Sequence, residues 1–161
     1  ILDVVPEGFV SRVATEGDLP FLRQLYADSR ADEMAAVPWP DTARAQFLAS
    51  QFSLQHTHYV THFLHADFLV IDKGGHPVAR FYLESRGESL HVIDISVAGR
   101  EQGKGIGTTL MRSLMTQAAS RGQGVTLQVS RCNERAQALY RRLGFETTGE
   151  TDSHLAMRWV S

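Results

Sequence analysis

The feature that most constrains this fold is a glycine-rich segment at residues 102–108, Gln-Gly-Lys-Gly-Ile-Gly-Thr. A predicted strand over 90–97 precedes it, and a predicted helix over 105–121 follows it and ends at Gly122. Glycines in such a turn let successive backbone N–H groups point into one concavity, and the helix dipole adds partial positive charge. The segment therefore predicts a loop that binds a pyrophosphate.

Two other phosphate-binding motifs rest on the same physics but require a different spacing. A Walker A loop has Ser or Thr after its Gly-Lys pair, whereas Gly105 follows Lys104 here. The first glycine of that motif would also fall on Ala98. A dinucleotide fingerprint that starts at Gly103 requires a third glycine where Thr108 stands. The spacing fits neither motif.

The rest of the chain predicts strands and helices that alternate within one domain over 1–161. Apolar periodicity, prolines and glycine turns separate these elements. Strands are predicted over 9–14, 68–72, 77–85, 90–97, 125–129, 145–148 and 155–160, and helices over 18–30, from 41 or 42 onward, over 105–121 and over 133–143. The glycine pair between the second and third strands is typical of a hairpin. The second helix carries Leu48, Phe52, Tyr59 and Phe63 at helical spacing, which predicts an aromatic buried face.

Composition excludes several classes of protein. Apolar residues make up 43% and charged residues 21%, which is typical of a globular domain. The formal net charge is -2 and the sequence has no basic stripe, so a nucleic-acid partner is not expected. The single cysteine, Cys132, has no partner for an internal disulfide, which favours a reducing, cytoplasmic compartment. Apolar runs fall short of the ~20 residues that span a bilayer, so no membrane contact is expected. Because the chain does not begin with Met, the removal of a leader peptide stays an open alternative.

Two motifs in this sequence resemble a known family. Gln102, Gly105 and Gly107 are spaced as in the coenzyme A pyrophosphate loop of GCN5-related N-acetyltransferases (GNAT). Asn133, Ala136 and the run 139–145 (Leu-Tyr-Arg-Arg-Leu-Gly-Phe) resemble the later segment of that family, in matching order and separation. The resemblance covers most of the chain apart from 32–65, where acceptor specificity usually lies.

The resemblance implies a single-domain α/β (α+β) fold with a mixed, mainly antiparallel central sheet flanked by helices. The strands near 90–97 and 125–130 are expected to splay into a V that receives the pantetheine arm. Acetyl-CoA is implied as the acyl-donor cosubstrate. The cofactor-binding residues implied are Ile95, Val97, Gln102, Gly103, Lys104, Gly105, Ile106, Gly107, Thr108 and Asn133.

In the family, the backbone N–H at the position of Val97 approaches the thioester oxygen and stabilises developing charge. Tyr140 matches the motif tyrosine, whose hydroxyl lies near the sulfur and can protonate the departing thiolate. The alternative for Tyr140 is a packing role in a core stripe with Ala136, Leu139 and Leu143.

His91 resembles the general base of some branches of the family by its position six residues before Val97. Strand alternation predicts that His91, Ile93, Ile95 and Val97 share one face, and that Asp94 points to the other with a structural role. The alternative for His91 is a solvated strand histidine.

Histidines cluster on and after the second helix. They are His56, His58, His62 and His65. The spacing of His58 and His62 suits two imidazoles on one helix face, but no third ligand accompanies them, so no metal site is predicted. Cys132 lacks a neighbouring His and carboxylate, which favours a packing role over an acyl-cysteine intermediate.

These observations predict an acyltransferase that moves acetyl by direct attack of a primary amine, of a small molecule or a peptide, on the thioester. Two alternatives stay open: transfer of a longer acyl group, and a noncatalytic coenzyme A-binding sensor or scaffold. A homodimer is also left open. Asp32 and Glu33 are expected in an acceptor-side loop and would favour a cationic amine, although such a pair is more often solvated.

Overall fold

The computed structural model of the chain describes residues 5–161, which form a sheet flanked by helices. Its strands are β1 (Phe9–Val13), β2 (Asp67–Lys73), β3 (His76–Ser85), β4 (Ser89–Val97), β5 (Gly124–Ser130), β6 (Glu146–Glu150) and β7 (His154–Trp159). Its α-helices are α1 (Leu19–Ser29), α2 (Ala31–Ala35), α3 (Asp41–His62), α4 (Ile106–Ser120) and α5 (Glu134–Arg142). The strands follow the order β1-β2-β3-β4-β5-β7-β6, with a parallel β4–β5 pair and antiparallel neighbours elsewhere. This order confirms the predicted mixed, mainly antiparallel sheet.

β2 and β3 form the predicted hairpin. Lys73 lies opposite His76, so Gly74 and Gly75 are the two residues of the turn. Their φ angles are 60° and 81°, in the left-handed region that side chains disfavour. The glycine pair therefore makes the tight turn that sets the antiparallel register.

β4 and β5 are paired over the first part of β4 and then separate. The parallel register joins residues 89–92 to 124–127, and in the described chain the ladder ends at Val92 and Leu127. The connection between the two strands passes through α4, as parallel strands require a long crossover. Beyond Val92, the edge of β4 that faces β5 has no strand partner within residues 5–161. This separation is the predicted V-shaped splay.

Helices cover both faces of the sheet. One core lies between the sheet and α4 with α5, and contains Leu110, Leu114 and Tyr140. The second core lies under α1 and α3, where Leu25 and Phe52 are buried. The site described below lies on the side of the sheet covered by α4 and α5.

A β-bulge interrupts the alternation of side chains along β4. The register between β3 and β4 shifts between Tyr82 and Leu83. Asp94 lies opposite Tyr82 and Val92 lies opposite Leu83, so Ile93 is an extra residue in β4. Such a residue changes which face the following side chains point to.

The bulge makes the predicted facing of His91 wrong. Val92 packs in the same core as Ile95 and Val97, on the side of α4. His91 therefore points to the opposite face of the sheet, together with Asp94, and not to the face of Ile95 and Val97. Strict alternation failed because one residue of the strand does not pair.

The helices α2 and α3 differ from the sequence-based prediction. The short helix α2 was not predicted: it buries Met34 and contains Asp32 and Glu33, so their predicted position in a loop is wrong. On α3, Phe52 is buried, whereas Leu48, Tyr59 and the C-cap residue Phe63 are half-buried, so the aromatic face is only partly covered. No helix within residues 5–161 combines the length and the apolar character needed to cross a membrane.

Arg12 ties β1 to β2 and to Asp18, the N-cap residue of α1. Its guanidinium donates to the two carboxylate oxygens of Asp18 at 2.8 and 2.9 Å, and to Asp72 on β2 at 2.7 Å. Asp18 also accepts a hydrogen bond from the Thr15 N–H at 2.7 Å. The hydrogen bonds from Arg12 lower the pKa of Asp18 to about 2, against the opposing effect of burial.

Asp18→Asn should therefore lower the free energy of unfolding at pH 7 by about 1.5–3 kcal/mol, the value of a hydrogen bond to a charged group. Since the folded-state pKa of Asp18 lies below the unfolded value, this stabilisation is present above about pH 4 and is lost as pH falls toward 2. Urea unfolding at pH 7 and below pH 4 measures it. The exposed Asp152, changed to Asn, is the control and should change stability little; equal losses in the two variants would contradict the role of Asp18.

Candidate functional site

A cleft of about 400 Å³ lies where β4 ends and α4 begins. Its walls are the glycine loop with the first turn of α4, the free end of β4, and α5. The residues that line it are Ile95, Val97, Glu101, Gln102, Gly103, Gly105, Ile106, Gly107, Thr108, Met111, Asn133, Arg135, Ala136, Leu139, Tyr140 and Arg142. The predicted cofactor-binding residues are all in this lining except Lys104.

The glycine loop leaves several backbone donors at the start of α4. Gly103 and Gly105 have φ angles of 80° and 77°, which glycine adopts without steric cost. The Thr109 N–H donates to the Gly105 carbonyl at 3.0 Å, which is the first bond of the helix. The N–H groups of residues 106–108 therefore have no intrahelical acceptor. Together with the helix dipole, these donors make this wall suited to an anion.

Gly107 leaves room in the same wall. A Cβ atom at this position would meet only Val97 Cγ2, at 3.8 Å, an ordinary van der Waals distance. Packing within the protein therefore does not require glycine there. Its absent side chain widens the cleft between α4 and the end of β4, where a ligand can approach the backbone closely.

Two side chains anchor the loop and the segment that precedes it. Asp28 Oδ2 on α1 accepts a hydrogen bond from the Gly99 N–H at 3.0 Å. The Gln102 Nε2 donates to the Val97 carbonyl at 3.2 Å. Gln102 thus holds the loop against the end of β4.

The structure places the side chain of Lys104 outside the cleft. Its Nζ forms an ion pair with Glu101 at 3.1 Å and lines a neighbouring groove with Lys73 and Arg100. Because Glu101 lines the cleft, this ion pair offsets a negative charge at its rim. Contact between Lys104 and the cofactor stays a prediction.

Asn133 is the N-cap of α5 and lines the cleft. Its side-chain oxygen accepts a hydrogen bond from the Ala136 N–H at 3.1 Å. The side-chain NH₂ group remains available to donate to a ligand.

Tyr140 lies where the cleft meets a second cavity, of about 200 Å³, in the gap between β4 and β5. The two cavities also share Ile95, Asn133 and Ala136. Burial and, secondarily, the negative charge of Asp94 raise the pKa of Tyr140 to about 12. The hydroxyl is therefore protonated at neutral pH and can donate a proton or a hydrogen bond.

Asp94 lines the gap and is held by three donors. Arg80 donates to it at 2.6 Å, Tyr59 at 3.0 Å and Ser96 at 2.9 Å. Arg80 is buried, so this ion pair balances a charge inside the sheet–α3 layer. These contacts agree with the predicted structural role of Asp94, and they also place its carboxylate beside the gap.

His91 lines neither the cleft nor the gap. It lies where β4 and β5 are still paired, and its Nδ1 is 2.9 Å from Thr126 Oγ1. Burial lowers the pKa of His91 to about 4, and the nearby Arg86 adds to this effect. The ring is therefore neutral at pH 7, as a base must be, but the structure does not bring it to Tyr140.

The histidines of α3 contact one another and aromatic rings. The rings of His58 and His62 lie edge to face with centroids 4.4 Å apart, and His56 stacks on Phe52 at 5.8 Å. Within residues 5–161, no three His, Cys, Asp or Glu side chains are grouped closely enough to hold a metal ion.

Comparison with known proteins assigns this architecture. A family model described as "Acetyltransferase (GNAT) family" matches residues 21–145. The chain belongs to the GNAT family.

Solved GNAT proteins share the fold along nearly their whole length. The PaiA N-acetyltransferase of Thermoplasma acidophilum, in complex with coenzyme A, superimposes with a TM-score of 0.70 at 17% identity and covers 95% of this chain and 99% of that one. The ribosomal L7/L12 alpha-N-protein acetyltransferase RimL superimposes with a TM-score of 0.67 at 17% identity, covering 98% and 92%.

A sequence relative is similar over a shorter segment. It is the 5-NmdU N-acetyltransferase of Pseudomonas phage PaMx11, which is 42% identical over 57 residues. The match covers 35% of this GNAT chain and spans 39% of the length of the phage protein.

Sequence analysis missed part of the cleft wall in this GNAT chain. Arg135, Leu139 and Arg142 of α5 and Met111 of α4 all line it. The spacing of four and three residues along α5 places the first three on one helix face. That periodicity was a usable signal, but charged residues on a short helix are usually assigned to solvent.

Gly105→Glu should abolish coenzyme A binding, because it adds bulk and negative charge where the pyrophosphate is expected to lie. Calorimetry on the folded variant measures the affinity. Gly122→Glu is a matched control, since both glycines have positive φ angles and open space at the Cβ position, but Gly122 follows the other end of α4. Unchanged affinity in Gly105→Glu would contradict the assignment of the loop.

Proposed function

We propose that this protein is an acetyl-CoA-dependent N-acetyltransferase in which a primary amine attacks the thioester directly. The observation that carries the proposal is the junction of two cavities at Tyr140. The cleft offers backbone donors to a pyrophosphate at the glycine loop, and the gap between β4 and β5 is also lined by Asp94, which points to the opposite face of the sheet. A donor and an acceptor can thus reach one point from opposite sides.

The pyrophosphate and the pantetheine arm of acetyl-CoA each have a matching part of the cleft. Its pyrophosphate lies against the N–H groups that begin α4, within the loop around Gly105 and Gly107. Its pantetheine arm follows the edge of β4 over residues 93–97, where backbone N–H and C=O groups lack a β5 partner. Amides of the pantetheine can hydrogen-bond to that edge in the manner of an added strand.

The transfer step needs few protein groups. The amine nitrogen forms a bond to the thioester carbonyl carbon, and the C–S bond then breaks. The Val97 N–H stabilises the carbonyl oxygen as charge develops on it. Tyr140 gives its proton to the departing sulfur, and the proton lost by the nitrogen finally restores the Tyr140 hydroxyl through the base or solvent. The products are the acetylated amine and free coenzyme A.

We keep His91 as the proposed proton acceptor, acting through a relay. Its neutral ring is hydrogen-bonded to Thr126 on β5, and β5 continues toward the gap. Since His91 lines neither cavity, a direct contact with the amine is not proposed.

The acceptor is proposed to be a small molecule or a peptide with a primary amine. RimL acts, by its name, on a ribosomal protein, and the phage relative on 5-NmdU. A panel of peptides, small amines and 5-NmdU, assayed with acetyl-CoA and free-thiol detection, tests the proposed function. Amine-dependent release of the free thiol supports it. If the protein binds coenzyme A but no acceptor of the panel gives thiol release, a noncatalytic module would be favoured. Cys132 is exposed, so its predicted packing role is wrong. We also propose that residues 1–161 act as one domain in the cytoplasm, where this thiol stays reduced.

Tyr140→Phe should slow the transfer step about 10²–10⁴-fold, because it removes the proton donor and keeps the ring. Coenzyme A affinity and thermal stability should change little. Single-turnover rates with a good acceptor are the measurement, since product release can mask the effect on kcat. Tyr26→Phe, which removes a hydroxyl from the other core, is the control. A wild-type rate in Tyr140→Phe would reduce Tyr140 to a packing residue.

His91→Gln tests the relay, because glutamine keeps a hydrogen-bonding group beside Thr126 but accepts no proton near neutral pH. If His91 takes the proton of the amine, kcat/KM should fall, and the acidic limb of the wild-type pH profile, expected near the folded-state pKa of about 4, should disappear. An unchanged kcat/KM across the pH range would assign the proton to solvent or to another group.

A further inference from the structure

The cleft is lined by two arginines in addition to the glycine loop that suits a pyrophosphate. Arg135 and Arg142 on α5 line it. Within the described residues neither forms an ion pair, whereas Arg131 is paired with Glu150 and Lys104 with Glu101. Both arginines are exposed to solvent. They are therefore free cations on the wall that faces the loop.

Helix geometry brings the two guanidinium groups to the same side. They are seven positions apart, which is close to two turns, so their side chains leave α5 on one face with Cα atoms roughly 10 Å apart. Long arginine side chains can converge over that distance. Leu139 lies between them on the same face, and Met111 of α4 also lines the cleft. The wall thus combines an apolar surface with two cationic ends.

Coenzyme A carries three phosphates, and the glycine loop suits two of them. The third is the 3′-phosphate on the ribose, a dianion beyond the pyrophosphate. An apolar patch flanked by guanidinium groups suits a nucleoside that bears such a group, because guanidinium binds phosphate through two parallel hydrogen bonds.

We propose that Arg135 and Arg142 bind the 3′-phosphate of the donor and thereby select coenzyme A thioesters over thioesters that lack this group. This inference rests on the proposed function, because it requires the pyrophosphate to lie at the glycine loop. It implies that a phosphopantetheine thioester carried on a protein, which has no adenosine 3′-phosphate, is a poor donor for this enzyme.

The test compares the affinities of coenzyme A and dephospho-coenzyme A, which differ only in the 3′-phosphate. Calorimetry on the wild type should give about tenfold or tighter binding of coenzyme A, as two charge-assisted contacts imply. In the double variant Arg135→Ala/Arg142→Ala the ratio should fall to near one, through loss of coenzyme A affinity alone. The ratio should also fall with added NaCl.

Arg141→Ala is the matched control, because Arg141 lies on the same helix and is exposed but does not line the cleft. It should keep the wild-type ratio. Equal wild-type affinity for the two ligands, or an equal loss of both in the double variant, would overturn the assignment while leaving the pyrophosphate site intact. Absence of binding by either ligand to the wild type would overturn the proposed function as well.

Discussion

The ladder of hydrogen bonds between β4 and β5 ends at Val92 and Leu127, and the site exists because it ends there. A paired strand would satisfy its backbone groups within the sheet. Separation of the two strands leaves the edge of β4 over residues 93–97 with donors and acceptors and opens a gap between the sheet faces. The α4 crossover that parallel pairing requires then begins beside that edge. The free edge of β4, the gap and the position where α4 begins therefore all follow from the short parallel pairing of β4 with β5.

Charged and polar groups surround the cleft and the gap between β4 and β5. The N–H groups that begin α4 and the two free arginines of α5 make the cleft attractive to anions. On the other face, Asp94 carries a negative charge that Arg80 balances at 2.6 Å. Between them, Tyr140 stays protonated because its surroundings disfavour the phenolate. The site is thus suited to a polyanion on one side and keeps a neutral proton donor at the junction.

The glycine loop and the tyrosine motif were predictable because they are local. Short-range spacing identified Gly105 and Gly107 and placed Tyr140 on a helix after Asn133, and the structure brings these residues to one cleft. The orientation of His91 was not predictable in this way. A single unpaired residue, Ile93, reverses the facing of β4, and a bulge depends on how β3 and β4 pair across the sheet. The ion pair that directs Lys104 away from the cleft likewise depends on a choice among rotamers that no spacing rule describes.

An NMR titration of the ¹⁵N-labelled protein with acetyl-CoA tests the central claim most directly, because each backbone amide reports its own environment. The account predicts that the largest shifts occur at Gly103, Gly105 and Gly107 of the loop and at Ile95 and Val97 on the free edge of β4. Amides of β1 and β6, at the two edges of the sheet, should shift little. Saturable binding that leaves the loop amides unchanged and shifts residues elsewhere would contradict it.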